Sequence, residues 1–217
     1  MGNKVPVWAV VPAAGTGTRM QCDIPKQYLS FQGKTLIEHS LDRLLSHPEI
    51  DGVVVVLRDD DKNWEALAYL AEMPVFTAAG GKERYDSVYS GLTTLQYRFG
   101  NDAIALVHDA VRPLVSHRDL SKVIDAARGH SAGAILAAPV ADTLKQQGEK
   151  IEIVNTLSRD GLWRALTPQV FHLQTLLNAL KQVIDNNLAI TDDAQAVELS
   201  GHTPLLVAGD ASNLKIT

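Results

Sequence analysis

The sequence predicts an α/β fold, a mostly parallel sheet covered by helices on both faces. Three observations predict it. Short apolar runs alternate with helix-period segments from Val7 to Pro139, the rhythm of β-α-β units. The run Val53–Leu57 has no polar alternation, as a central strand buried on both faces requires. Glycines, arginines and acids gather just after the apolar runs, where open α/β sheets bind ligands. Together they describe a Rossmann-like, doubly wound sheet.

The elements follow in order. Val7–Val11 reads as the first strand. Leu36, Ile37, Ser40, Leu41, Leu44 and Leu45 recur along one face of a helix over 36–45. Gly52 releases the strand Val53–Leu57. A short helix is expected over Trp64–Leu70 and a strand over Val75–Ala78. Helices are expected over Arg84–Tyr97 and His117–Arg128, strands over Ile104–Val107 and Ala134–Pro139. Then the rhythm breaks. Leu144–Val154 has the pattern of a β-hairpin turning at Gly148. An isolated hairpin is marginal in water, so this one is expected to project as an arm, at about 143–159, and to pack on a second subunit. The core resumes over Leu162–Phe171. A helix from Leu173 to about Asn187, a helix over Asp192–Leu199 capped by Thr191, and strands over Leu205–Ala208 and Leu214–Ile216 follow. The whole of 1–217 is expected to form one domain with this arm.

The 217 residues suffice for a sizeable core. A formal net charge of -5 disfavours non-specific nucleic-acid binding, so any phosphate chemistry belongs to a local basic pocket. One cysteine, Cys22, excludes an internal disulfide and fits a reducing, cytoplasmic setting. No apolar stretch approaches membrane-span length, and the first residues do not read as a signal peptide.

The chemistry centres on the segment Val7–Gln27. A strand ends at Pro12 and leads into Ala13, Ala14, Gly15, Thr16 and Gly17, with Arg19 and Lys26 behind. Glycines admit backbone N–H groups close to an anion, and the cations neutralise it. This predicts a nucleoside-triphosphate site. Met20 stands where a dinucleotide fingerprint needs its third glycine, and no Gly-Lys-Ser/Thr follows for a Walker loop. His108-Asp109 has no further histidine at ligand spacing, so no protein metal cluster is expected.

P-A-A-G-T-G-T-R-M with I-P-K-Q-Y, followed by G-G-K-E-R-Y-D-S-V (80–88), V-H-D-A-V-R-P (107–113), A-P-V-A-D-T-L-K (138–145), R-D-G-L-W-R-A-L-T-P-Q (159–169), T-D-D-A (191–194) and N-L-K-I-T (213–217), resembles the sugar-phosphate nucleotidyltransferases. Within them the resemblance is to the cytidylyltransferases acting on 2-C-methyl-D-erythritol 4-phosphate in non-mevalonate isoprenoid biosynthesis. It implies attack of a sugar-alcohol phosphate on the α-phosphorus of CTP, with loss of pyrophosphate and with Mg²⁺ held mainly by the CTP phosphates. Arg19 and Lys26 would stabilise the charge developing on the α-phosphate. Pro12–Gly17, Gly81, Lys82, Ser87 and Ala110 would hold the nucleotide, Lys82 standing where many relatives carry Asp. Asp109, Arg112, Thr143 and Thr167 would hold the sugar-alcohol phosphate, and Arg159 and Lys215 would orient its attacking oxygen. Thr143 and Arg159 flank the arm, which in the family crosses to the other subunit, so a homodimer is implied. The family usually continues with a further helix beyond the position of Thr217. The alternative within enzymes is a ribitol-5-phosphate cytidylyltransferase. A nucleotide-dependent oxidoreductase and a non-catalytic scaffold are the alternatives of other classes.

Overall fold

Side-chain alternation along the first strand decides where everything else packs. In the computed structural model, which describes residues 4–15, 24–67 and 72–216, β1 (Val7–Pro12) sends Val7, Ala9 and Val11 into one buried layer and Trp8 and Val10 into the other. The next strand in the sheet, β4 (Gly52–Leu57), divides the same way: Val53, Val55 and Leu57 one side, Val54 and Val56 the other. An unbroken run of β-branched side chains is therefore required, because either face would leave a polar group in a dry layer.

Between these strands lie a single 3-10 turn at Lys26–Tyr28, a two-stranded ribbon of β2 (Ser30–Phe31) and β3 (Lys34–Thr35), and α1 (Leu36–Leu45). The ribbon was not expected from the sequence. Its signal was Gln32-Gly33, both with positive φ, 49° and 82°, the geometry of a tight hairpin turn. Thr35 and Glu38 form a capping box that starts α1. After β4 come α2 (Lys62–Glu65), β5 (Val75–Ala79), α3 (Arg84–Phe99), β6 (Ile104–Val107), α4 (His117–Arg128) and β7 (Ala134–Pro139). The hairpin of β8 (Leu144–Gln147) and β9 (Ile153–Leu157) leads to β10 (Trp163–His172), α5 (Leu173–Asp185), α6 (Asp193–Leu199) and β11 (Leu205–Ala208).

The large sheet has the order β11-β7-β10-β6-β1-β4-β5. Every neighbouring pair is parallel except those made by β10, which runs antiparallel between β6 and β7. Helices α1 and α4 pack on one face of this sheet, α3, α5 and α6 on the other. The chain moves from β1 outward through β4 to β5 and then returns to the opposite side of β1 with β6. The switch point thus lies between β1 and β6, where such sheets open a crevice.

Three expectations need correction. The helix expected over Trp64–Leu70 begins at Lys62 and ends at Glu65; residues 68–70 lie outside the described ones. It is short and uncapped, because Asp61 accepts a hydrogen bond from the Tyr28 hydroxyl at 2.9 Å and makes no side-chain cap. Asp192, not Thr191, caps α6: its carboxylate accepts from the Gln195 amide at 3.0 Å, while Thr191 binds the Gln195 side chain. Leu214–Ile216 is not a strand. The Leu214 amide folds back onto the Ser212 carbonyl, and Ile216 reaches Val111 through one bond of 3.0 Å, too little for a ladder. The hairpin turn is also wider than Gly148 alone, closing from the Gly148 amide to the Glu152 carbonyl at 3.1 Å.

Gly91 shows how tightly α3 sits on the sheet. A Cβ there would lie 2.6 Å from a Val10 methyl and 2.9 Å from a Val56 methyl, both on fully buried strands. Overpacking costs about 1–3 kcal/mol, against about 1 kcal/mol of helix propensity gained from Gly to Ala. Gly91→Ala is therefore expected to lower stability by up to about 2 kcal/mol, seen as a lower denaturant midpoint at unchanged slope; a stabilised variant would show that α3 moves freely on β1.

Candidate active site

Loops after β1, β5 and β6 leave the sheet at one edge, and each is pinned there by backbone bonds. The Ala13 amide donates to Val56 at 2.8 Å, Gly80 to Leu57 at 2.7 Å, and His108 to Val10 at 3.0 Å. The loop after β1 is then shaped by a residue that sequence reading passed over. Gln27, buried, donates from Nε2 to the Ala13 carbonyl at 2.7 Å and to the Gly15 carbonyl at 3.2 Å. Carbonyls so engaged cannot face an incoming phosphate, whose natural partners are the loop's N–H groups. Pro12, Ala13, Ala14 and Gly15 sit at this edge; Thr16, Gly17 and Arg19 lie outside the described residues. Lys26 begins the 3-10 turn next to Gln27.

The loop after β5 touches the same place. A Cβ on Gly80 would stand 2.3 Å from the Ala14 Cβ, so only glycine lets the two loops meet. The Gly81 amide donates to Ser87 Oγ at 3.1 Å, and that hydroxyl donates to the Glu83 carbonyl at 3.3 Å. Ser87 therefore shapes this loop from inside, while Gly81 and Lys82 are exposed. Ala110 is buried, its carbonyl accepting from Ser40 Oγ at 2.8 Å.

Beyond β6 lies a cavity of about 260 Å³ lined by Arg84, Asp109, Arg112, Thr167, Gln169, Thr191, Asp192 and Lys215, among others. Four of these, Asp109, Arg112, Thr167 and Lys215, are residues that the sequence singled out from segments far apart. Asp109 is the centre. Its carboxylate meets Lys215 Nζ at 3.0 Å, Arg112 Nε at 3.2 Å and Arg84 Nη2 at 3.6 Å. Burial pushes its acidity the wrong way, but Arg84, Lys215 and Arg112 outweigh it and hold the carboxyl well below the usual range. Burial likewise opposes the Arg84 charge, and Asp193 and Asp109 keep it fully charged. Asp193 Oδ2 meets Arg84 Nη1 at 2.9 Å. Asp193 is completely buried, and burial raises its pKa despite Arg84.

Thr167 reaches the cavity because β10 changes register against β7 between Ala165 and Gln169, an irregularity of the kind that re-aims side chains beside active sites. Gln169, buried under the floor, donates to Asp192 at 2.8 Å and accepts from the Ala194 amide at 2.9 Å. It fastens the start of α6 to β10 and so brings Thr191 and Asp192 to the lining. Asn213 joins the remaining pieces: its Nδ2 donates to the Thr167 carbonyl at 2.8 Å, and its own carbonyl accepts from Arg112 Nη1 at 2.7 Å. Lys215 thereby reaches Asp109 without a strand to carry it.

Thr143 and Arg159 are exposed on the segments flanking the arm and do not line this cavity. Arg159 Nη1 donates to the Ala141 carbonyl instead. Gln27, Gln169, Thr191, Asp192, Asp193 and Asn213 were missed as site-forming residues. T-D-D-A and N-L-K were visible as motifs, but buried amide side chains carry no sequence signal. Arg84 read equally well as a solvated helix start.

Gln27→Leu keeps the volume and removes both loop-shaping bonds. Losing two such bonds, each worth about 0.5–1.5 kcal/mol, is expected to raise the KM for the nucleotide roughly tenfold in steady-state kinetics while the KM for the second substrate stays within about twofold. An unchanged nucleotide KM would free the loop from Gln27.

The chain has named relatives over nearly its whole length. A curated Vibrio vulnificus (strain CMCP6) protein named 2-C-methyl-D-erythritol 4-phosphate cytidylyltransferase is 47% identical over 209 residues, covering 96% of this chain and 88% of the relative. The Pseudomonas putida (strain GB-1) protein of the same name is 44% identical, covering 100% and 93%. Among solved structures, a crystal structure of 4-diphosphocytidyl-2C-methyl-D-erythritol synthase superposes with a TM-score of 0.85 at 37% identity, covering 99% of this chain and 94% of that one. The Francisella tularensis 2-C-methyl-D-erythritol 4-phosphate cytidylyltransferase gives 0.84 at 35%, covering 98% and 94%. The family model described as IspD, 2-C-methyl-D-erythritol 4-phosphate cytidylyltransferase, matches residues 7–217, and the chain belongs to that family.

Proposed function

We propose that the chain transfers CMP from CTP to 2-C-methyl-D-erythritol 4-phosphate and releases pyrophosphate, in non-mevalonate isoprenoid precursor biosynthesis, with the residue roles that follow. The observation that carries the reading is the cavity beyond β6, where Asp109, Arg112, Thr167 and Lys215 converge beside the loops after β1 and β5.

The substrate phosphate is ionised at neutral pH, so its oxygen attacks the α-phosphorus without a general base. Both reactants are anions, and charge accumulates on the α-phosphoryl oxygens. Arg19 and Lys26 serve that charge. The loop Pro12–Gly17, with the Ala13 and Gly15 carbonyls turned to Gln27, offers N–H groups to the phosphates, while Gly81, Lys82 and Ala110 border the nucleoside; Ser87 acts by shaping the Gly81 loop. In the cavity, Arg84, Arg112 and Lys215 nearly balance Asp109 and Asp192. Such a lining suits hydroxyl groups better than a bare dianion: Asp109 accepts from the polyol and Arg112 donates to it. Lys215 and Arg159 then direct the phosphate toward CTP.

Magnesium suits this site as a companion of the triphosphate. Among the described residues no three His, Cys, Asp or Glu gather to cage an ion, and magnesium keeps waters and leans on phosphate oxygens. When bound, it neutralises phosphate charge.

A homodimer completes the site. The arm is an isolated two-stranded ribbon whose Ile151, Ile153 and Val154 are 98%, 68% and 59% exposed. Apolar side chains on so marginal an element need a partner surface, and Thr143 and Arg159 at its base are then delivered to the neighbour's cavity. The setting is cytoplasmic: Cys22 is the only cysteine, and no described helix is long and apolar enough to cross a membrane.

A pyrophosphate-release assay with CTP and a panel of polyol phosphates tests the reaction. Turnover is expected with 2-C-methyl-D-erythritol 4-phosphate, and turnover with ribitol 5-phosphate alone would overturn it. In the same assay Arg19→Ala or Lys26→Ala is expected to cost about 10²–10³ in kcat, the usual loss of one preorganised donor at a developing charge; a change confined to CTP affinity would remove the transition-state role. Deleting Gln146–Lys150 is expected to convert the dimer to monomer by light scattering. Mixing Arg159→Ala with Arg19→Ala protein is expected to recover activity that neither has alone. A dimer that survives the deletion, or a mixture as inactive as its parts, counts against the shared site.

A further inference from the structure

His108 precedes Asp109 and is completely buried, yet nothing above gives it a task. Its surroundings leave it one state. Nε2 lies 3.1 Å from the Arg112 carbonyl and Nδ1 lies 3.1 Å from Thr167 Oγ. A carbonyl can only accept, so Nε2 carries a proton. Burial pushes the imidazole down to about 4, so at neutral pH Nδ1 is bare and accepts from the Thr167 hydroxyl. That hydroxyl in turn accepts from the Asp109 amide at 3.1 Å. The chain of bonds therefore has one direction: Asp109 N–H to Thr167 Oγ, Thr167 O–H to His108 Nδ1, His108 Nε2–H to Arg112 carbonyl. Its two ends are the two residues whose side chains pair with each other at 3.2 Å, Asp109 also meeting Lys215 at 3.0 Å.

We propose that His108 is a positioning residue for the sugar-alcohol phosphate site: as the neutral Nε2–H tautomer it sets the Asp109–Arg112 turn against β10 through Thr167, and it commits the Thr167 hydroxyl proton inside the protein. Thr167 then serves the site as a fixed link, with a lone pair and no proton to offer a ligand. The orienting effect of the relay falls on the polyol side, because both ring nitrogens are engaged there, by Thr167 and the Arg112 carbonyl. The proposal rests on the reading that Asp109 and Arg112 hold the second substrate.

The histidine variants separate the two bonds. Asn carries an acceptor near the Nδ1 position and can keep the Thr167 bond; Gln carries a donor near the Nε2 position and can keep the Arg112 bond; Leu keeps neither. His108→Leu leaves two buried polar groups, the Thr167 hydroxyl and the Arg112 carbonyl, without the imidazole partner. It is expected to raise the KM for the polyol phosphate by at least about tenfold with the CTP KM within about twofold, and His108→Asn and His108→Gln are expected to fall between Leu and the parent. Three variants with identical kinetics, or an equal rise in both KM values, would overturn the proposal. A long-range ¹H–¹⁵N spectrum of the labelled parent protein, with the His108 signal identified by its loss in His108→Asn, needs no active variant. The neutral Nε2–H tautomer is expected at pH 7, and the Nδ1–H tautomer or an imidazolium there would overturn the relay. Asp109→Asn tests the underlying reading separately: an unchanged polyol-phosphate KM in that variant sinks the substrate assignment, whereas a raised KM there with unchanged kinetics in all His108 variants sinks the positioning role alone.

Discussion

A carboxylate buried among three cations organises the functional half of this molecule. Asp109 is 7% exposed, and a charge so deep is tolerated only with partners that satisfy it. Those partners come from three places: Arg84 from the start of α3, Arg112 from the turn after β6, and Lys215 from the C-terminal segment. Each is delivered by a different part of the winding, so the ion cluster exists only when the sheet, α3 and the last residues are all in place. Asp193 extends it downward, holding Arg84 from beneath with α6 behind it. Stability and site geometry are coupled here, since the contacts that offset Asp109's burial also shape the cavity.

The nucleotide side is built from different physics. There the close approach of backbone, not charge, sets the shape. Gly80 lets the loop after β5 lie against Ala14, and Gln27 draws the Ala13 and Gly15 carbonyls to itself. Under the proposed function, such a surface would recognise phosphate through N–H groups and need cations only where charge develops. An acidic protein with a net charge of -5 thus still brings three cations, Arg84, Arg112 and Lys215, together at one carboxylate.

Much of the fold was legible because burial on both faces leaves an unmistakable trace. Val53–Leu57 and Ile104–Val107 have no polar residue to misplace, and the apolar stripes of α1 and α4 repeat at helical spacing. Reading failed where a side chain had two possible partners. Asp61 precedes α2 but is taken by Tyr28, and Thr191 looked like a cap although Asp192 performs that task. Leu214–Ile216 had strand composition, yet its segment is held by Asn213 and Arg112 instead of a ladder. The first and last are decided by partners outside any local window, whereas Asp192 wins over its own neighbour Thr191.

The sequence by itself determined the class of sheet and the loop edge that carries the chemistry, because hydrophobic period and phosphate-binding composition are local properties of the chain; Asp109, Arg112 and Lys215 came forward only through the family resemblance. The tertiary structure alone decided that these three meet at one carboxylate with Arg84, that Gln27 and Gln169 shape the loops from inside, and that His108 is held as one tautomer between Thr167 and Arg112. The reason is physical: buried hydrogen bonds and ion pairs join residues up to 109 positions apart, and which partner each group finds is settled only when the crossovers bring them within reach.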